Sequence, residues 1–367
     1  MNNRRNWLKQ IGLGTIGLGF IPFETFANPF AEDYILPDFD NSPILLRSNE
    51  NPYGPSPLAR AAMAKSVNNS NRYGWDLWSE LISAIAKKNN VSDNNILLGA
   101  GSTEILDVVL QYSALQKGNF IMAETSYDYW TASSEKLGIK KITVPLTQDK
   151  KHDLTAMLKA IDSDTKMVYI CNPNNPTGTI CDRKELVSFI NEATKKAIVF
   201  VDEAYINFTK EESLSNLVIE NKNLIITKTF SKLYGLAGAR VGYAIAHSET
   251  IEQLSILKSS TNMSVSVVSA SAALASLNDE KFIQQVYSSN NEVKKYTIDQ
   301  LTQLNLTCIA SHSNFIYFSL ENYKKDYFKQ LENHNISGTK IYEENGKWTR
   351  ITIGTMREMQ LFIAALK

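Results

Sequence analysis

Two short apolar runs, each stopped by a polar motif, constrain this chain more than any other feature. The run 167–171 ends at Asn172-Pro173-Asn174-Asn175-Pro176-Thr177-Gly178, and the run 197–201 ends at Asp202-Glu203-Ala204-Tyr205. Apolar residues at successive positions over such a length read as strands buried on both faces, the condition of a parallel sheet between helix layers. Further runs at 96–98, 120–123, 142–145, 223–227 and 241–246 alternate with helical stretches. The alternation predicts an α/β chain with a seven-stranded, mostly parallel sheet. Ligands of open α/β sheets bind beyond the carboxyl ends of the strands. Both polar motifs stand at such ends.

A third motif follows, Thr229-Phe230-Ser231-Lys232-Leu233-Tyr234-Gly235-Leu236-Ala237-Gly238-Ala239-Arg240. A lysine that captures an aldehyde needs a fixed position and a lowered pKa. A phosphate nearby needs a hydroxyl, backbone N–H groups and a cation. Ser231, Lys232 and Arg240 satisfy those needs within one loop. Taken alone, the stretch is equally a surface Ser-Lys pair beside an ordinary arginine.

Together these motifs resemble the pyridoxal-phosphate enzymes of fold type I, the aspartate aminotransferase superfamily, and within it the histidinol-phosphate aminotransferase family. The resemblance runs from Ser48-Asn49-Glu50-Asn51-Pro52-Tyr53-Gly54-Pro55-Ser56-Pro57 to Arg350-Ile351-Thr352-Ile353-Gly354-Thr355, with motifs in the family's order. It implies pyridoxal 5′-phosphate as cofactor and a homodimer with shared active sites. It also implies a large cofactor domain over 49–250, a linking helix over 251–280 and a smaller α+β domain over 281–367, preceded by an arm at 28–48.

The resemblance implies a role for each matching residue. Lys232 is the Schiff-base lysine and moves the proton at substrate Cα, which requires an amine that can be neutral. Asp202 faces the pyridine nitrogen and keeps it protonated; read without the family, it is equally a helix N-cap at a strand end. Asn175 and Tyr205 hydrogen-bond the ring hydroxyl, and Asn175–Pro176 is a place for a cis peptide. Gly101, Ser102 and Thr103 hold the phosphate at the start of a helix, with Ser231 and Arg240 on its other side. Tyr73 reaches that phosphate from the partner subunit. Tyr127 stacks on the ring or is plain core. Arg350 pairs with the substrate carboxylate, and Asn51 and Tyr53 line the substrate entrance. Three positions depart from the family: Gly74 replaces its usual proline, Thr103 an acidic or amide residue, and Thr125 a proline.

Charge excludes some partners. Lys+Arg and Asp+Glu both number 38, so neither nucleic acid nor an acidic membrane is favoured. Cys171, Cys181 and Cys308 lack metal or redox spacing, and no metal site is expected. The chain opens Met1-Asn2-Asn3-Arg4-Arg5-Asn6-Trp7-Leu8-Lys9, followed by an uncharged run over 11–23. Paired arginines before a short apolar stretch resemble a twin-arginine export signal over 1–27, which implies a periplasmic or exported enzyme; a subunit-crossing arm is the alternative. The run is too short for a stable membrane span.

The function expected is transamination from an amino donor, histidinol phosphate or an aromatic or other amino acid, to 2-oxoglutarate. A decarboxylase or racemase on the same scaffold is the alternative, because substrate pose decides which Cα bond breaks. A cofactor-binding protein without turnover is a third reading; intact motifs at Asn175, Asp202, Tyr205, Lys232, Arg240 and Arg350 weigh against it.

Overall fold

A computed structural model describes residues 42–258 and 262–367. The proposed signal at 1–27 and most of the arm lie outside them. All seven expected strands are present: β2 (Ile96–Gly99), β3 (Gly118–Ala123), β4 (Ile139–Val144), β5 (Thr165–Cys171), β6 (Ile198–Asp202), β7 (Leu224–Thr229) and β8 (Gly242–Ala246). They form one sheet in the order β2-β8-β7-β6-β5-β3-β4, in which β8 runs antiparallel to both neighbours and the other pairs are parallel. The expected seven-stranded, mostly parallel α/β sheet is therefore observed.

Strand alternation explains why the runs are apolar throughout. Val168, Ile170, Val199, Val201, Leu224 and Ile226 join one buried cluster, and Met167, Tyr169, Cys171, Phe200 and Ile225 join another on the opposite face. The first cluster is completed by α2 (Trp75–Lys88), α5 (Arg183–Ala193) and α7 (Val267–Leu277). The second is completed by α3 (Gly101–Ser113) and α6 (Ser248–Leu257). Both faces exclude water, so each strand residue pays its way by burial. Helices α1 (Pro57–Ser66) and α4 (Leu154–Ala160) complete this part of the chain.

The remainder builds a second core on a three-stranded antiparallel sheet. Its strands are β9 (Phe315–Ser319), β11 (Ile341–Glu343) and β12 (Trp348–Thr352), in the order β11-β12-β9. Helices α8 (Glu280–Gln303), α9 (Tyr327–Asn333) and α10 (Met356–Leu366) supply Val293, Leu301, Leu331, Phe362 and Ile363 to that core. The short β1 (Ile44–Leu45) pairs in parallel with β10 (Ile336–Ser337). The chain start is thereby sewn onto its C-terminal part.

The linking helix expected over 251–280 is a correction. Helix α6 stops at Leu257, and Lys258 leaves it in an extended conformation. Helix α7 restarts after Ser266, whose side chain caps Ser269 N–H. The cause is tertiary. Leu98 lies on the edge strand β2, and its outward backbone groups are taken by Lys258 Nζ at 2.6 Å and Asn262 Oδ1 at 3.0 Å. Both partners come from the stretch between the end of α6 and the start of α7.

Lys294, in α8, is 9% exposed and donates to the Ser313 carbonyl at 3.0 Å. Among the described residues no carboxylate pairs with it, and burial pulls its amine down to about 8. Protonation is thus costlier in the folded chain than in the unfolded one, so stability is lost as pH falls from the ordinary lysine range toward 8 and is flat below. Asn290 also donates to the Ser313 carbonyl, at 3.3 Å, which keeps it satisfied without the lysine. Lys294→Met should therefore stabilise the fold at pH 7 by about 1–3 kcal/mol, with the gain shrinking between pH 8 and 10. Thermal unfolding of both proteins across that range measures it, and parallel curves would refute the account.

Candidate active site

A cavity of about 700 Å³ opens beyond the carboxyl ends of β5, β6 and β7. Asp202, Tyr205, Ser231, Lys232, Asn175, Tyr127, Ser102, Thr103, Arg240 and Arg350 all line it. Residues spread over 250 positions of sequence therefore meet at the place where the strand-end motifs pointed.

Asp202 ends β6 on the same face as Phe200, which turns its carboxylate toward the cavity. Tyr169 Oη donates to its Oδ2 at 3.0 Å, and Ala204 N–H to its Oδ1 at 3.0 Å. Burial nevertheless pushes this carboxyl up to about 6, against those two bonds and the nearby Lys232 charge. Lys232 is half-buried, and its amine donates to the Ser48 carbonyl at 3.0 Å and lies 5.7 Å from the Tyr205 ring centre. Removal from water, with Arg350 and then Arg240 adding repulsion, pulls the amine down to about 8. The acid is thus raised and the base lowered within one cavity, a pattern typical of catalytic sites.

Tyr205 Oη accepts from Asn49 Nδ2 at 3.0 Å and from Asn175 Nδ2 at 3.4 Å. Burial drives its phenol well above the usual range. Asn175 Oδ1 accepts from Arg350 Nη1, and Arg350 Nη2 donates to the Arg47 carbonyl at 2.6 Å. Arg350 is 6% exposed and its Nε has no hydrogen-bond partner. Arg350 lines the cavity, and a guanidinium there suits a carboxylate. The Asn175–Pro176 peptide is cis, as expected, and so is Asn172–Pro173.

An anion would find its cradle at the start of α3. No side chain caps that helix. Gly101 has φ +76°, and a Cβ there would lie 2.3 Å from Arg240 Nη2; one on Gly242 would lie 2.3 Å from Ser102 N. Both glycines let backbone and guanidinium close in. Arg240, itself at φ +56°, donates to Thr103 Oγ1 and Ser231 Oγ at 3.4 Å each. An uncapped helix start, two hydroxyls and an arginine fit a phosphate.

Four expected residues are not in the cavity lining: Gly101, which adjoins Ser102 and closes on Arg240, and Asn51, Tyr53 and Tyr73. Asn51 spends its amide on the Leu233 carbonyl at 2.8 Å and its Oδ1 on Tyr53 N–H at 3.0 Å, and Tyr53 packs beside Phe208 and Val286. The residues just before them, Arg47, Ser48, Asn49 and Glu50, line the cavity instead. Tyr73 is 74% exposed and stands against Trp75, away from the cavity of its own chain. Tyr342, Thr339 and Lys340 line the cavity from the C-terminal hairpin and carry no local signal in the sequence. Tyr169 also went unread, because alternation marks it as core and its phenol reveals its partner only in three dimensions.

The family profile described as "Aminotransferase class I and II" matches residues 41–366. The chain belongs to this family. Among curated relatives, the histidinol-phosphate aminotransferase of Moorella thermoacetica is 34% identical over 329 residues, 88% of this chain and 84% of that one. The Bacillus subtilis strain 168 enzyme of the same name is 32% identical over 329 residues, covering 88% and 90%. A solved putative histidinol-phosphate aminotransferase from Erwinia carotovora atroseptica superposes with TM-score 0.83 at 30% identity, covering 88% and 95%. The Sinorhizobium meliloti histidinol-phosphate aminotransferase, solved with pyridoxal 5′-phosphate, shares the fold with TM-score 0.81 at 24% identity, covering 88% and 89%. In the cofactor-free form of this aminotransferase the Lys232 amine should react with cyanate with a pH midpoint near 8, set by its surroundings. Arg350→Leu removes a repelling cation and should move that midpoint upward. Mass spectrometry of carbamylated Lys232 across pH reads both, and an unchanged midpoint in the variant would count against the electrostatic account.

Proposed function

We propose that this chain moves an amino group from a small amino donor, histidinol phosphate or an aromatic or other amino acid, to 2-oxoglutarate. The reaction class rests on family membership: the chain is a pyridoxal 5′-phosphate-dependent transaminase. The observation that carries the residue-level reading is one cavity holding a lowered lysine, a raised aspartate and an anion cradle. Bound pyridoxal 5′-phosphate supplies an aldehyde for the donor amine and a ring that draws off the electron pair released at Cα.

The residues divide the remaining work. Lys232 Nζ, about half neutral at pH 8, would take the proton from substrate Cα and deliver it across the amino nitrogen, two bonds away. Asp202 presents a carboxylate to the ring nitrogen, and Asn175 and Tyr205 orient the ring hydroxyl. Gly101, Ser102, Thr103, Ser231 and Arg240 hold the phosphate, and Tyr127 packs on the ring face. Arg350 takes the substrate carboxylate and so fixes which Cα bond faces Lys232. That pose separates transamination from decarboxylation or racemisation, the second reading on the same residues.

Three wider proposals accompany it. The chain works as a homodimer in which Tyr73 reaches the partner's phosphate cradle, supported by its exposed ring and the neighbouring exposed Trp75 and Met263. The large domain runs to about 250 and the small one starts near 281; the second boundary is supported by the buried clusters, since Val265, Ala270, Ala273 and Leu277 pack in the large-domain core and Val293 in the other. Residues 1–27 direct twin-arginine export, supported by their composition and by a family match that starts at residue 41. No helix among the described residues is long and apolar enough to cross a membrane.

One set of assays tests the function. Purified protein given amino donors and 2-oxoglutarate should release glutamate, and Lys232→Ala should lower the rate by at least about 10³-fold. Carbon dioxide or a D-amino acid without glutamate would favour the second reading instead. Sedimentation velocity on the same preparation should give a dimer, with a monomer ending the Tyr73 proposal. Cell fractionation should find the chain in the periplasm, shortened at its start; an intact cytoplasmic chain would end the export proposal.

A further inference from the structure

The turn that carries β2 into α3 is held from outside the cavity. Ala100 is the N-cap of α3 and offers no side-chain oxygen to the first-turn N–H groups. Glu104 instead reaches back, and its Oε2 accepts Ala100 N–H at 2.7 Å. A reciprocal helix start has two contacts, from the cap side chain forward and from a first-turn carboxylate back to the cap N–H. Only the backward contact is present here. A serine or aspartate at position 100 would set an oxygen where an anion must sit. The next peptide along is held as well: the Ala100 carbonyl, in the Ala100–Gly101 peptide, accepts from Arg240 Nη2 at 3.4 Å, so Ala100 is fixed on both sides of its Cα.

Glu104 is in turn fastened from behind. Its Oε2 also accepts from Ser264 Oγ at 2.6 Å and from Lys258 Nζ at 3.0 Å. Lys258, whose side chain is 1% exposed, further donates to Ser264 Oγ at 3.0 Å and to the Leu98 carbonyl at 2.6 Å. Burial works against the Glu104 charge, but bonds from Ser264 and Ala100 and the Lys258 charge hold its carboxyl below the usual range. A bare carboxylate in the first turn would repel a phosphate; Lys258 neutralises it. Glu104 does not line the cavity, and no step assigned above uses it.

We propose that Glu104, secured by Lys258 and Ser264, is the positioning residue of the phosphate cradle. It fixes the orientation of the Ala100 peptide, and with it the aim of the first α3 N–H groups and the Arg240 guanidinium. The proposal rests on the aminotransferase reading and extends it to a carboxylate that never touches the cofactor.

Its signature is discrimination, not strength of binding alone. Cofactor-free wild type and Glu104→Gln are titrated with pyridoxal 5′-phosphate, with pyridoxal and with inorganic phosphate. Glu104→Gln keeps the size of the side chain but removes its charge, and leaves Lys258 unpaired. Affinity for pyridoxal 5′-phosphate should fall about tenfold or more, close to the loss of one charge-assisted hydrogen bond. Affinity for inorganic phosphate should fall in step, and affinity for pyridoxal should stay within about twofold. Ser264→Ala, which removes its bonds to Glu104 and Lys258 but no charge, should show the same pattern on a smaller scale and covers the case of a poorly folding Glu104→Gln. Equal losses for pyridoxal 5′-phosphate and pyridoxal would mark a general structural role and overturn the proposal, as would an unchanged phosphate affinity. A wild type that binds neither pyridoxal compound would overturn the aminotransferase reading and the proposal with it.

Discussion

Everything at this site depends on the burial of a parallel sheet on both faces. The two-residue period of a strand sends neighbours to opposite sides. At the end of β6 it sends Asp202 into the cavity and Glu203 away from it. Glu203 is buried behind the sheet, where it pairs with Lys228 of β7 at 3.6 Å and accepts Leu214 N–H at 2.9 Å. Lys228 donates to Asn89 Oδ1 at 2.9 Å. A buried ion pair adds little net stability, but breaking one is costly. Here it ties the strand that carries Asp202 to the strand that leads to Lys232.

The second constraint joins the two cores. Arg350 lies in β12 of the small sheet, yet its guanidinium bonds Asn175 and the Arg47 carbonyl. Asn49 donates to Tyr205 Oη through Nδ2 and accepts from Thr352 Oγ1 through Oδ1 at 3.1 Å. Asn314 donates to the Asn49 carbonyl at 3.0 Å. The segment 47–50 is therefore a hinge pin between the sheets, and Asn49 meets it with φ +54°. These bonds place Arg350 and the lowered amine of Lys232 on one cavity from separate parts of the chain.

The electrostatics follow from the same burial. Removing Asp202 and Lys232 from water acts in opposite directions, because desolvation favours the neutral form of each. Among the described residues no group of three or more acidic, histidine or cysteine side chains is arranged to hold a metal. The site's charge is managed by arginines and by the open start of α3.

Sequence alone determined what is local. Apolar runs gave seven strands, because a strand covered on both faces needs apolar residues at every position. The motifs at their ends named Asn175, Asp202, Tyr205, Ser231, Lys232 and Arg240, because strand ends in such sheets meet at one crevice. Tertiary structure decided what depends on distant contacts. The expected helix ends at Leu257, and Lys258 and Asn262 beyond it bond the backbone of the edge strand β2, some 160 residues away in sequence. The amide of Asn51 was drawn to Leu233, and the lining fell to Arg47–Glu50 instead. Tyr342, Lys340 and Glu104 carry no pattern of their own: their roles exist only once chain segments far apart in sequence are packed within hydrogen-bond reach, and no period or propensity encodes that distance.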